Sequence, residues 1–191
     1  MKKLLFNPFE KYDGRALLAI GLVATLIGSM LGFAFNARFD GIIDMHFSYN
    51  VAFAQPFTDN VFNIAILFFT LHLFGYTINK KTRPVDILGT VMLARLPFYL
   101  GTLSNINGFI ARTTEAMMGL DMNNIQLNPA DLAIIIISSL VTLALLVWYI
   151  ALLYNGFKVA TNLKTTGHKI LFAVTILVAE ILSKLLFILI Y

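Results

Sequence analysis

The chain runs to 191 residues, 59% hydrophobic and 13% charged, with a mean hydropathy of +0.81 and a net charge of +4. Soluble domains are about 45–50% apolar and about 25% charged, so a water-soluble globular domain is excluded, and no second one fits beside the apolar stretches. The absence of cysteine excludes disulfides, thiol chemistry and thiolate metal sites together.

In chain order, the start Met1–Pro8 is too short and too early broken for a cleavable signal peptide. Leu4, Leu5, Phe6, Phe9 and Tyr12 alternate with Lys2, Lys3, Glu10 and Lys11, which predicts a short interfacial segment over 1–13. A membrane-crossing helix needs about 20 mainly apolar residues. Five stretches approach that length, near 16–35, 61–78, 85–103, 132–154 and 170–191. Uninterrupted runs such as Ile134–Ile137 do not alternate, so a β-barrel is excluded. The expected fold is an all-α, integral membrane bundle of five transmembrane helices, one membrane domain over residues 1–191.

Loop charges orient the spans. Lys2, Lys3, Lys11 and Arg15, then Lys80, Lys81 and Arg83, then Lys158, Lys164 and Lys169 place ten basic residues on one side; Arg38 and Arg112 lie on the other. The N-terminus is expected to be cytoplasmic and the C-terminus outside or lumenal. Basic residues scattered in this way are a topology signal rather than a polyanion-binding face, so nucleic acid is not an expected partner. The outer segments 40–47 and 108–119 mix apolar and polar residues and are expected to lie along the surface, partly sunk among headgroups.

Several positions stand out within this frame. Ala24, Gly28 and Gly32 form a smooth helix-packing face that would let another helix approach closely. It serves either homodimerisation or, the simpler reading, packing against another span of the same chain. Asp40, Asp44 and His46 have a spacing that could bind a cation, but a solvated loop is the simpler account. His72 lies within the second span, where a bond to a neighbouring helix is expected. Lys80, Lys81 and Arg83 could contact anionic lipid at about 1 kcal/mol per residue. Trp148, Tyr149 and Tyr154 read as an aromatic belt, with Asn155-Gly156 as a helix stop.

Arg95, Glu180 and Lys184 are the charges set deepest in apolar sequence. Pro97 should kink the third span near Arg95. At about 1.5 Å per residue, Arg95 and Glu180 each lie about 16 Å in from their loops, with Lys184 one turn beyond Glu180. The expectation is a buried Arg95–Glu180 ion pair between neighbouring spans three and five. A structural clasp is favoured over an ion pathway, because the opposite charges neutralise each other and no further acid lines a relay.

There is no phosphate-cradling Gly-rich loop, no His-Glu-x-x-His and no Gly-x-Ser-x-Gly, so neither enzyme activity, cofactor nor metal is expected. The segments Asn7-Pro8-Phe9-Glu10-Lys11-Tyr12, Ala37-Arg38-Phe39-Asp40-Gly41, Ala94-Arg95-Leu96-Pro97-Phe98, Trp148-Tyr149-Ile150 and Leu153-Tyr154-Asn155-Gly156 resemble the Yip (Ypt/Rab-interacting protein) membrane-domain family, specifically its bacterial branch. The resemblance implies a multi-span domain with a cytoplasmic N-terminus, placed in a bacterial inner membrane, and no catalytic residues. Eukaryotic members bind prenylated small GTPases; the short stretch before the first span here lacks their long N-terminal region. The expected function is a non-enzymatic adaptor or organiser acting through the lipid bilayer, a membrane or peripheral protein partner, or a homodimer. The competing expectation is a small transporter or ion-conducting protein built around Arg95, Glu180 and Lys184.

Overall fold

The computed structural model describes residues 5–118 and 128–190. Its helices are α1 (Gly14–Ala34), α2 (Gln55–Ile78), α3 (Pro84–Ala94), α4 (Leu96–Leu100), α5 (Phe109–Met118), α6 (Pro129–Thr161) and α7 (Thr166–Ile190). Five segments are long and apolar enough to cross a membrane: α1, α2, the run from α3 through Glu115, α6 and α7. The third is the central one, with 72% of its most apolar window buried, against 6% for α6.

Each helix starts and stops for a local reason. Asp13 and Asn128 cap α1 and α6 by accepting hydrogen bonds from Arg15 N and Ala130 N. Prolines occupy the first turns of α2, α3 and α6, where a missing N–H costs nothing. Pro97 breaks the third span at Arg95, which separates α3 from α4. A 3-10 stretch then runs from Gly101 to Gly108. The fourth span does not stop at Asn155-Gly156. It continues to Thr161 and ends on Asn162, whose φ of 55° is the left-handed conformation of a helix C-cap.

Gly156 has a different role. A Cβ there would fall onto the Thr90 side chain and within 2.9 Å of Phe9. Phe9 is itself buried in the 3-10 turn Pro8–Glu10, so this part of the N-terminal segment docks into the bundle rather than lying along the membrane surface. Trp148 Nε1 and Asn155 Nδ2 donate to the Leu5 and Phe6 carbonyls at 2.8 Å each, which ties that segment to α6. Residues 1–4 of the expected interfacial segment lie outside the described residues. Among the expected belt residues, Tyr149 is fully buried beneath Phe98 rather than at an interface. The outer segment 108–119 forms α5, with Gly119 outside the described residues.

α1 and α3 make the most extensive helix contact, and glycines permit it. A Cβ on Gly21 would sit 2.9 Å from Leu93 N, and one on Gly28 would fall inside the Tyr99 ring. One on Gly32 would meet Phe39 and Pro56 at 2.8 and 2.9 Å. The Gly28 and Gly32 positions therefore pack against the chain's own elements. Gly28→Ala should lower the melting temperature in detergent, the usual overpacking penalty being about 1–3 kcal/mol. Leu26→Ala, on an exposed face, is the control; equal melting temperatures for the two variants would refute the close packing.

Candidate functional site

The segment following α1 does not lie along the surface. Two short strands, β1 (Ala37–Arg38) and β2 (His46–Phe47), pair antiparallel with Ala37 opposite Phe47 and Arg38 opposite His46. They carry a hairpin into the bundle at the end opposite the N-terminal segment. Phe39 and Ile42 are fully buried, and Gly41 is buried where a Cβ would strike the Glu180 carboxylate. The surface expectation fails because Phe39 and Ile42 find an apolar core, and because the hairpin's backbone finds polar partners there.

That second condition is decisive. Irregular backbone cannot be left unpaired away from water, since each orphaned group costs about 1–3 kcal/mol or more. Side chains from two helices and from the α3–α4 break take up these groups. From α2, Asp59 accepts from Phe39 N at 3.2 Å, and Asn63 Nδ2 donates to Phe39 O at 2.6 Å. Asp59 also holds Arg38 through two bonds of 2.6 and 3.0 Å. From α7, one oxygen of Glu180 accepts from Ile42 N and Ile43 N at 2.6 and 3.0 Å. At the α3–α4 break, Arg95 Nη1 donates to Ile42 O at 3.2 Å.

Arg95 and Glu180 thus meet through the backbone of Ile42 rather than as a direct ion pair. Depth counting brought them to one level, but α7 packs mainly on α2, and the hairpin fills the space between them. Arg95 is fully buried. Its Nη2 donates to Asn60 Oδ1 at 3.2 Å, and Asn60 in turn donates to Ser29 Oγ at 2.9 Å. The rings of Phe98, Tyr99 and Phe39 surround the guanidinium at 5.2, 5.7 and 6.0 Å. Desolvated cation–π contacts of this kind contribute about 2 kcal/mol. They stabilise a charge that has no carboxylate within ion-pair distance among the described residues.

Lys184, one turn beyond Glu180, turns to the hairpin rim and pairs with Asp40 at 3.5 Å and with Asp44. His46 Nδ1 lies 3.1 Å from Asp40. These partners account for the acidic spacing, and no group of three or more metal-ligating side chains occurs among the described residues. Burial by itself would push the Asp40 carboxyl up, but His46 and Lys184 outweigh it and hold the group below the usual carboxylate value. The hydrogen bond with Asp40 holds His46 above its ordinary value, against the opposing cost of desolvation.

The remaining singled-out residues lie apart from the clasp. His72 stacks on Phe68 at 5.5 Å, and its Nδ1 bonds to no neighbouring helix. Lys80 and Lys81 are exposed, whereas Arg83 is engaged by Asp86 through two bonds of 2.8 and 2.9 Å. The sequence marks Arg38 only as an outer-side charge and part of a family segment, and singles out none of Asp59, Asn60, Asn63 and Ser183. Placing the start of the second span at 61 left Asp59 and Asn60 in a loop. In fact α2 begins at Gln55, so Asp59 and Asn63 stand one turn apart on its buried face, with Ser183 donating to Asn63. A polar i, i+4 pair at the start of an apolar helix was the available signal.

Five apolar helices closed around an inserted, side-chain-bonded hairpin define an integral multi-pass membrane protein. Residues 3–188 match the family model described as the Yip1 domain, and the chain belongs to that family. No curated protein and no solved structure matches it.

The bridged geometry changes what mutation should do. Glu180→Ala leaves the Ile42 and Ile43 N–H groups unpaired, and replacing Arg95 and Glu180 together by apolar residues strands Ile42 O as well. The double variant should therefore be at least as destabilised as the single one in a thermal melt, and Glu180→Gln, which keeps an acceptor, should be milder. A double variant more stable than Glu180→Ala would restore the direct-pair picture.

The hairpin rim should also respond to pH. His46, raised in the folded state, adds stability that is complete below its ordinary 6.5 and is lost as pH climbs through the raised value. Asp40, lowered in the folded state, adds stability present above its ordinary 3.8 and lost as pH falls through the lowered value. Between about pH 6 and about pH 9 the wild-type melting temperature should fall, and His46→Gln should flatten that slope. Identical slopes would remove the pair from the account.

Proposed function

We propose that this protein is a non-enzymatic organiser or adaptor of a bacterial inner membrane, with its N-terminus cytoplasmic, acting through lipid and protein contacts. The observation that carries this reading is the closure of the clasp. Arg95 is fully buried, and its contacts and those of Glu180 lead into the hairpin backbone and neighbouring side chains. None of the four cavities described is lined by Arg95, Glu180 or Lys184. A transporter needs mid-membrane charge that water and a solute can reach in turn; Arg95 is instead fully buried and, like Glu180, bonded to the hairpin backbone. Membership of the Yip1 family and the absence of enzyme signatures support the same reading.

A homodimer through Gly28 is disfavoured, since that surface is covered by Tyr99. Partner contacts fall instead to α6, whose first two-thirds is exposed on nearly every side. Orientation rests on the ten-to-two asymmetry of basic residues.

Two measurements test this. Proteoliposomes carrying the protein should pass protons, alkali cations and small solutes no faster than protein-free vesicles; a faster flux would overturn the organiser reading. Because the chain has no cysteine, single cysteines at Lys81 and Tyr49 can be labelled in whole cells with an impermeant maleimide. Tyr49→Cys should react and Lys81→Cys should not, and the reverse pattern would invert the orientation.

A further inference from the structure

A second site lies at the other end of the bundle from the clasp, where the N-terminal turn meets α1, α3 and α6. A polar cavity of about 320 Å³ is lined by Tyr12, Asp13, Arg83, Asp86 and Thr90 among others. Beside it runs an apolar cavity of about 270 Å³, whose walls include Leu5, Ile20, Leu96 and Trp148. Tyr12 and Leu17 line both, so the polar chamber adjoins an apolar groove along α1. From Asp13 to Ile20 the helix rises about 10 Å. A polar end of this size, followed by an apolar channel toward the middle of the span, has the amphipathic profile of a membrane lipid.

Charge and hydrogen bonding narrow the class. Arg83 is held by Asp86 through two bonds and stands 3.9 Å from Asp13, so two carboxylates surround one guanidinium. At 3.9 Å from Arg83, Asp13 is loosely held and can accept hydrogen bonds from a second, cationic donor. Thr90 is 2% exposed, lines the polar cavity, and its hydroxyl has no hydrogen-bond partner among the described residues. An unpaired hydroxyl in such a place lacks a partner that a ligand would supply. A primary ammonium carries N–H donors for both Asp13 and Thr90, while the adjoining phosphate could accept from Arg83. A trimethylated ammonium has the charge without the donors, and a glycerol headgroup has neither the charge nor the fit.

We propose that the polar cavity and the apolar groove together form a binding site for one phospholipid with a primary ammonium headgroup. The Pro8–Glu10 turn forms its lid, and Leu17 marks the junction between headgroup and acyl chain. The site shares no residue with the hairpin clasp and does not depend on the organiser reading.

Native mass spectrometry of the purified protein, reconstituted with an equimolar mixture of phosphatidylethanolamine, phosphatidylcholine and phosphatidylglycerol of matched chains, tests it. The ethanolamine lipid should be retained about tenfold over either competitor, the size of one charge-assisted hydrogen bond. Asp13→Asn with Thr90→Val should bring its retention down to the choline level. Asparagine still caps α1 and valine is close to threonine in shape, so the melting temperature should not change. Ile20→Trp, on an exposed position of the groove, should lower retention of all three lipids while leaving the charged cluster untouched. Equal retention of the three lipids by the wild type, a preference for the anionic one, an unchanged preference in the Asp13→Asn/Thr90→Val variant, or undiminished retention in Ile20→Trp would each overturn the proposal.

Discussion

The structure turns on one constraint: backbone N–H and C=O groups removed from water must be paired. Helices meet it internally, but the hairpin after α1 cannot. Its amides and carbonyls are met by side chains from α2, α7 and the α3–α4 break. This explains why an apolar protein tolerates Asp59, Asn60, Asn63, Arg95 and Glu180 within or beside its spans. They are polar because the hairpin requires donors and acceptors, and their own cost of burial is offset by bonding it or, for Asn60, by bonding Arg95 and Ser29.

The same constraint arranges the rest of the bundle. α3 sits at the centre because Gly21 lets α1 close onto it, Gly28 lets α1 close onto Tyr99 of α4, and Gly156 lets α6 approach Thr90 of α3. The break before Pro97 then frees the chain to bend at Arg95, where the guanidinium reaches the hairpin from within an aromatic enclosure. Lipid-exposed positions on α6 and α7 carry ordinary aliphatic residues, and nothing in packing limits their identity closely. Specificity is concentrated where helices or backbone come within contact distance.

The spans were legible because apolar length is a local property and bilayer thickness sets a threshold for it. The kink at Pro97 was legible for the same reason, a proline being its own signal. Long-range contacts were not. Nothing near Ile42 announces that its partner is Glu180, and a loop mixing Ile with Asp resembles an interfacial segment until that carboxylate is found. Depth counting placed Arg95 and Glu180 at one level but could not reveal a peptide between them. The glycine face was recognised at Gly28 and Gly32, whereas its partners, Tyr99 and Phe39, depended on how the chain folds back.

The Ile42–Glu180 contact also has a consequence for the birth of the protein. The hairpin leaves the ribosome 138 residues before the carboxylate that will hold it. At about 5–20 residues per second, the interval is on the order of ten seconds. Through that time the first two helices can enter the bilayer and Asp59 can take up Phe39 N, but the N–H groups of Ile42 and Ile43 have only water to bond, so the hairpin tip must wait at the surface. The hairpin after α1 is therefore admitted by α7, and this part of the nascent chain cannot close until that span arrives.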